Sequence, residues 1–411
     1  MVETEPAKSR TELKRTLSLG LVALYGLGTT IGAGIFVLIG KVGGAGGDLA
    51  PVSFLVAAAV AGLSALSFAE LSVRYPESGG EAVYVKEGLN STALALSVGL
   101  MVVAAGVIST ATIVVGFSGY LAEFTAAPRN VTEVAVAICL AAVAASGVRI
   151  SISLAALITV LEIAVLAVVI GLGTPEAIGD GAARMGQAIR SSPLPAWSGV
   201  IAGAVIAFYA FIGFEDIVNV AEETRNPEKV LPAAILITLA GTTLLYVLVS
   251  LVALGAVAPG ELMASDAPLS LLFERLSGLP GEAVSAIAIV SVLNGALIQM
   301  IMASRVLYGL SRRGWLPGPF GDVNARTRTP AKATLFCLFV VAGLVLTLDL
   351  ERLATAASYV TLIVFALVNT ALIATKFGPA ADTGEGFRVP RWVPVLGVVL
   401  IAGLIVSRVA G

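Results

Sequence analysis

The sequence predicts an all-α polytopic membrane protein of about eleven transmembrane helices, built around two inverted five-helix repeats whose first helices, spans 1 and 6, are broken. Three observations predict it. The 411 residues are 57% hydrophobic and 13% charged, with a mean hydropathy of +0.97, outside the balance of a water-soluble domain. The apolar residues gather into stretches of about 20, the length that crosses a bilayer. Two of those stretches, the first and the sixth, carry glycines and polar residues at mid-depth.

In chain order, the polar and basic segment 1–18 has no short apolar core followed by a small-residue cleavage site, so it is not a signal peptide. The first repeat, 19–171, holds spans at roughly 19–40, 50–73, 93–121, 131–147 and 152–171. Spans 4 and 5 are separated by the turn around Gly147, Val148 and Arg149. The connection 172–196, with Arg184 and Arg190, is expected to form a short interfacial helix on the outer face. The second repeat, 197–375, holds spans at roughly 197–221, 231–256, 281–311, 331–348 and 353–375. The remainder, 376–411, is a loop and one further span near 391–409. Low-complexity sequence is confined to the first dozen residues and to the loop near 380–386. With a cytoplasmic N-terminus, most of the 25 Lys and Arg fall on the cytoplasmic side. The positive-inside rule then sets the orientation of a multi-pass protein in the cell membrane.

Several chemistries are excluded by composition. Histidine is absent, which removes the usual proton shuttle, metal ligand and nucleophile activator. Cys139 and Cys337 both fall inside spans and read as small apolar fillers. No G-x-x-x-x-G-K-[ST] loop is present for ATP coupling, and no basic run suggests nucleic acid. No cofactor, metal site or enzymatic activity is expected; an uncoupled receptor or channel remains a rival to a transporter.

The stretch GLGTTIGAGIF (26–36) and the stretch FYAFIGFED (208–216) occupy matching places in the two repeats. Glycine there allows close helix packing or unwinding of the backbone. Two interrupted spans in corresponding positions, each with polar neighbours, point to unwinding and to a transporter. Non-helical backbone at membrane depth is tolerated only where protein or a water-filled cavity covers it. Each break leaves free N–H groups with partial positive charge on one half-helix and free C=O groups with partial negative charge on the other. Those ends suit the carboxylate and the ammonium of a zwitterionic amino acid.

GTTIGAGIFVLIG in span 1, SFAELSVRYPESGGEAVYVKEGL (67–89), FYAFIGFEDIVNVAEETRNPEKVLPAAI (208–235) and SRVLYGLSRRGWLP (304–317) together resemble the amino acid permeases of the amino acid, polyamine and organocation superfamily. The resemblance runs from about residue 15 to 400 and implies the leucine-transporter-like fold, alternating access and secondary transport of amino acids. It also implies a site. Gly32, Ala33 and Gly34 would offer N–H groups to the substrate carboxylate, and Thr30, Tyr209, Ala210 and Ile212 carbonyls to its ammonium. Phe211, or Tyr209, would close over the substrate beside Gly213. Gln299 and the cluster Ser109–Thr112 would face its side chain, or make ordinary helix contacts.

The sequence departs from the family pattern in span 5, where Glu162 aligns with the lysine of proton-coupled members. A charged group there costs about 2.5 to 3.5 kcal/mol on insertion scales and is a functional candidate by default. The alignment sets it near the carbonyls of Gly28 and Ile31 and near Asn294. Three roles stay open: a proton-coupling switch, a structural acid that stays protonated, or a sodium ligand. Symport with protons is the leading reading; exchange, sodium-coupled uptake and transport of polyamines or other amines are the alternatives. Glu70, Glu215, Asp216 and Arg305 read either as a cytoplasmic gate of ion pairs or as charges that snorkel to the headgroups of the surrounding lipid. No charged residue is evidently placed to read a side chain, which favours small or apolar amino acids as substrate. Most members of the superfamily have twelve spans; eleven are expected here, which counts against a dimer resting on spans 11 and 12.

Overall fold

The computed structural model describes residues 15–76, 80–147, 152–191, 194–378 and 386–409. The expected low-complexity segments and the Val148–Arg149 turn lie mainly outside these. Each of the eleven expected spans coincides with a helical segment. These are α1 (Leu19–Gly46), α2 (Ala50–Arg74), α4 (Thr92–Leu121), α5 (Arg129–Ser146), α6 (Ile152–Leu172), α9 (Leu194–Tyr209), α10 (Pro227–Ala256), α13 (Glu282–Arg312), α14 (Ala331–Thr347), α15 (Leu350–Phe377) and α16 (Trp392–Val409). Between them lie α3 (Gly80–Leu89), the pair α7 (Thr174–Glu176) and α8 (Ala182–Ser191) in the connection, and the pair α11 (Pro259–Ala264) and α12 (Pro268–Ser277). Among the described residues, eight stretches are long and apolar enough to cross a membrane, the first of them running through the second half of α1 and all of α2; three shorter apolar helices accompany them.

Local chemistry sets the helix starts. Ser91 accepts the Leu94 N–H ahead of α4, and Asp349 accepts the Arg352 N–H ahead of α15. Proline opens α10, α11 and α12, where its missing N–H leaves no extra orphan donor.

The helices sort into two groups by packing. One is α1, α2, α9 and α10; the other is α4 and α5 with α13 and α14. The helix α6 packs on α1, α10 and α13, and α15 packs on α4, α2 and α9, so both link the two groups. At one end α1 is tied to the end of span 6: Leu17 bridges Thr224 in parallel, and Thr16 and Leu17 donate to the Glu223 carbonyl. Toward its other end, α1 packs against α11, with Lys41 donating to the Met263 carbonyl.

Candidate functional site

Both expected breaks are present. Helix α1 is interrupted at Gly32, whose φ of −3° and ψ of −124° are non-helical. Span 6 stops being α-helical at Tyr209, turns at Gly213 with φ +125°, and continues over Phe214–Glu223 in 3-10 turns that are themselves kinked at Val220, whose φ of −102° and ψ of 15° are non-helical. At its start the Glu215 carboxylate accepts the Gly213 N–H at 2.8 Å, an anionic cap on an orphan donor.

Glycine lets the two breaks touch. A Cβ on Gly34 would drive into the backbone of Ala210, and one on Gly213 would lie 2.5 Å from the Thr29 carbonyl oxygen. Thr29 in turn donates to the Gly213 carbonyl at 2.9 Å. The crossing is held by backbone contacts that any larger residue would force apart.

A cavity opens at this crossing. Thr30, Gly32, Gly34, Tyr209, Ile212 and Gln299, all read as substrate residues, line it together with Ser109. Ala33 follows the break in α1. Ala210, Phe211 and Gly213 are not in the lining; the Phe211 ring is fully buried and meets Tyr246 edge-on at 5.2 Å. The Tyr209 hydroxyl donates to the Ser109 carbonyl at 3.3 Å.

Tyr246 of α10 is a residue the sequence reading missed. Its hydroxyl lies 2.8 Å from both the Thr30 and the Ala210 carbonyl oxygens. One proton faces two acceptors at the ends of the two broken helices. A lone tyrosine in an apolar span carries no local pattern that could have announced it.

Glu162 is fully buried in α6, and neither carboxyl oxygen has a hydrogen-bond partner. Ser291 of α13 stands beside it, its hydroxyl also unpartnered, and Asn294, one turn further on, makes no hydrogen bond to it. The Gly28 and Ile31 carbonyls likewise make no hydrogen bond to Glu162; Thr159, one turn earlier on α6, fills the space against Gly28.

Among the described residues the gate residues form no ion pair with one another. Glu70, fully buried, pairs with Arg74 at 2.8 Å and Lys376 at 2.7 Å, and accepts the Val389 N–H. Asp216 accepts from the Gln299 amide at 3.4 Å, and its other oxygen is unpartnered. Arg305 is exposed on α13 and, among the described residues, forms no ion pair with either acid.

A second cavity shares Ser109, Ile212 and Gln299 with the first. Glu81 of α3 and Glu215 stand in its wall, with Thr361 of α15. Glu81 lies in the stretch between spans 2 and 3, where no local pattern marks it as reaching this interior.

Membrane-length helices, two of them broken and crossing at an internal cavity, define the leucine-transporter-like fold. The fold match agrees: a solved structure, MhsT in complex with L-phenylalanine, superposes with a TM-score of 0.65 at 14% identity, covering 97% of this chain and 100% of that one. The chain belongs to the amino acid permease family, whose model, described as amino acid permease, matches residues 17–409. Among curated relatives, the cationic amino acid transporter 2 of Arabidopsis thaliana is 31% identical over 90% of this chain, which spans 61% of that protein's length. In Bacillus subtilis, the methylthioribose transporter is 30% identical over 97% of this chain and 89% of its own length. The branched-chain amino acid permease BcaP of the same organism is 29% identical over 93% and 85%.

Proposed function

We propose that this chain is a secondary active transporter that moves amino acids across the cell membrane by alternating access, with its N-terminus in the cytoplasm, and that proton symport is coupled through Glu162. The observation that carries the reading is the crossing of two broken helices over one cavity. N–H groups after the break at Gly32 and carbonyls at Ile212 and at Thr30, the last already accepting from Tyr246, present both signs of partial charge within a few residues, a match for a zwitterion. Amino acid transport is also what the family membership supports.

The coupling rests on the isolation of Glu162. A carboxylate buried without a hydrogen bond is costly, so the neutral acid is the form this setting tolerates best. The neutral acid can donate to the adjacent Ser291 hydroxyl, whereas the carboxylate would draw a donor toward it. Either change alters how α6 sits on α1 and α13. That links proton occupancy to the angle of the broken helix.

Labelled-substrate counterflow in proteoliposomes tests the transport step, since a channel cannot exchange against a gradient. For the coupling, Glu162→Gln is expected to abolish uptake driven by an inward proton gradient while leaving exchange intact. Unchanged pH-driven uptake in that variant would remove Glu162 from the mechanism.

A further inference from the structure

The second cavity contains more negative charge than binding a neutral side chain requires. Glu81 and Glu215 line it, each only 7% exposed, and they come from elements more than a hundred residues apart in sequence. Asp216 lies just behind Gln299, which lines both cavities. No basic residue lines this space, and among the described residues neither Glu81 nor Glu215 is in an ion pair. Carboxyl groups this close together in a dry site cannot all stay ionised unless a cation joins them.

A second observation points to a ligand. Thr361 is 4% exposed, its hydroxyl has no partner, and it faces the same cavity. A buried hydroxyl left without a hydrogen bond is a cost that an incoming donor would remove. The remaining wall includes Val102, Val364, Met302 and the Phe365 ring, apolar surface suited to a methylene stem.

We propose that this second cavity receives the positively charged end of the substrate's side chain, so that the transported amino acid is a basic one of the lysine or ornithine kind. The proposal rests on the reading of the first cavity as the seat of the α-amino and α-carboxyl groups. The shared walls at Ser109, Ile212 and Gln299 then place a side chain leaving the first cavity directly in the second. An ammonium there accepts the charge of Glu81 and Glu215 and donates to the Thr361 hydroxyl. This reverses the preference for small or apolar substrates drawn from sequence, because Glu81 reaches the cavity only through the placement of α3.

The groups facing Glu81 are Glu215 and Asp216 of span 6, Gln299 and Met302 of α13, Thr361 of α15 and Tyr84 of its own helix. None is a cation. Burial pushes the Glu81 carboxyl up to about 7, so a basic amino acid must displace its proton at low pH and meets a ready carboxylate at higher pH. Affinity for the basic substrate therefore rises as pH increases through that value.

Titration calorimetry on the purified full chain with lysine and with norleucine, which has the same stem and no charge, tests this at pH 6 and pH 8. The expected result at pH 8 is lysine binding at least about tenfold tighter than norleucine, as for a desolvated charge pair. The gap narrows at pH 6, closes in Glu81→Gln and persists in Glu81→Asp. Norleucine binding as tightly as lysine to the unmodified protein overturns the proposal and leaves the transport reading standing. A lysine preference unchanged in Glu81→Gln overturns the assignment of the subsite. Binding of neither overturns both.

Discussion

Tyr246 places a single hydroxyl proton before the Thr30 and Ala210 carbonyls, so at any instant one of the two is short of a donor. That arrangement suits a site that waits for an ammonium. Tyr246→Phe leaves both carbonyls without this donor, and a buried polar group without a partner costs about 1–3 kcal/mol. The substrate-free protein should melt at a lower temperature, and the further rise caused by saturating substrate should be larger than in the unmodified protein, because the substrate ammonium then supplies what the hydroxyl supplied. An unchanged melting temperature without substrate would rule out the clamp. At this scale sequence reading was uneven. Gly32 and Gly213 were legible because unwinding is a local property of glycine. Ser291 beside Glu162 was not legible, because alignment fixes order along a helix but not its rotation to within a turn. Tyr246 and Glu81 take their meaning from groups on other helices, which no local pattern encodes.

The broken helices are the elements on which the site depends, and they are held by contact as well as by sequence. Gly213 has φ +125°, a conformation that side chains with a Cβ rarely adopt, and a Cβ there would press on the Thr29 carbonyl. Gly213→Ala should therefore cost about 1–3 kcal/mol from backbone strain, plus the separation of the two breaks. The variant is expected to lose substrate-induced stabilisation while its far-ultraviolet circular dichroism stays helical. Retention of the full stabilisation would show that the breaks need not touch. The sequence located both interruptions but not the form of the second half of span 6. Along it the Glu215 carboxyl reaches back to the Gly213 N–H, and Asp216 meets Gln299 of α13. The latter is a tertiary contact between residues far apart along the chain. Glu70 likewise meets Lys376 of α15 and the Val389 N–H, partners about three hundred residues away that no local pattern announces.

Across the whole molecule, the division into spans was legible because bilayer thickness fixes the length of each apolar run. The packing of the two helix groups around α6 and α15 was not, since it depends on which faces meet. One consequence reaches global stability. The Glu81 carboxyl, pushed up to about 7 by burial from an ordinary value of 4.5, binds its proton more tightly in the folded than in the unfolded chain. Its contribution is fully present below about pH 4.5 and is lost as pH rises through about 7. In detergent, the melting temperature should fall between pH 5 and pH 8 by more in the unmodified protein than in Glu81→Gln; equal slopes would mean that Glu81 is not buried as found.

The most direct test of the central claim, that the peptide ends of two broken helices hold the charged groups of an amino acid, compares substrate derivatives. With the best-binding amino acid, its α-amide and its N-acetyl form, thermal stabilisation of the purified protein should be strong for the free zwitterion. It should be at least about tenfold weaker in affinity for each blocked form, because each loses one charged partner of a helix end. Equal stabilisation by all three would contradict the account.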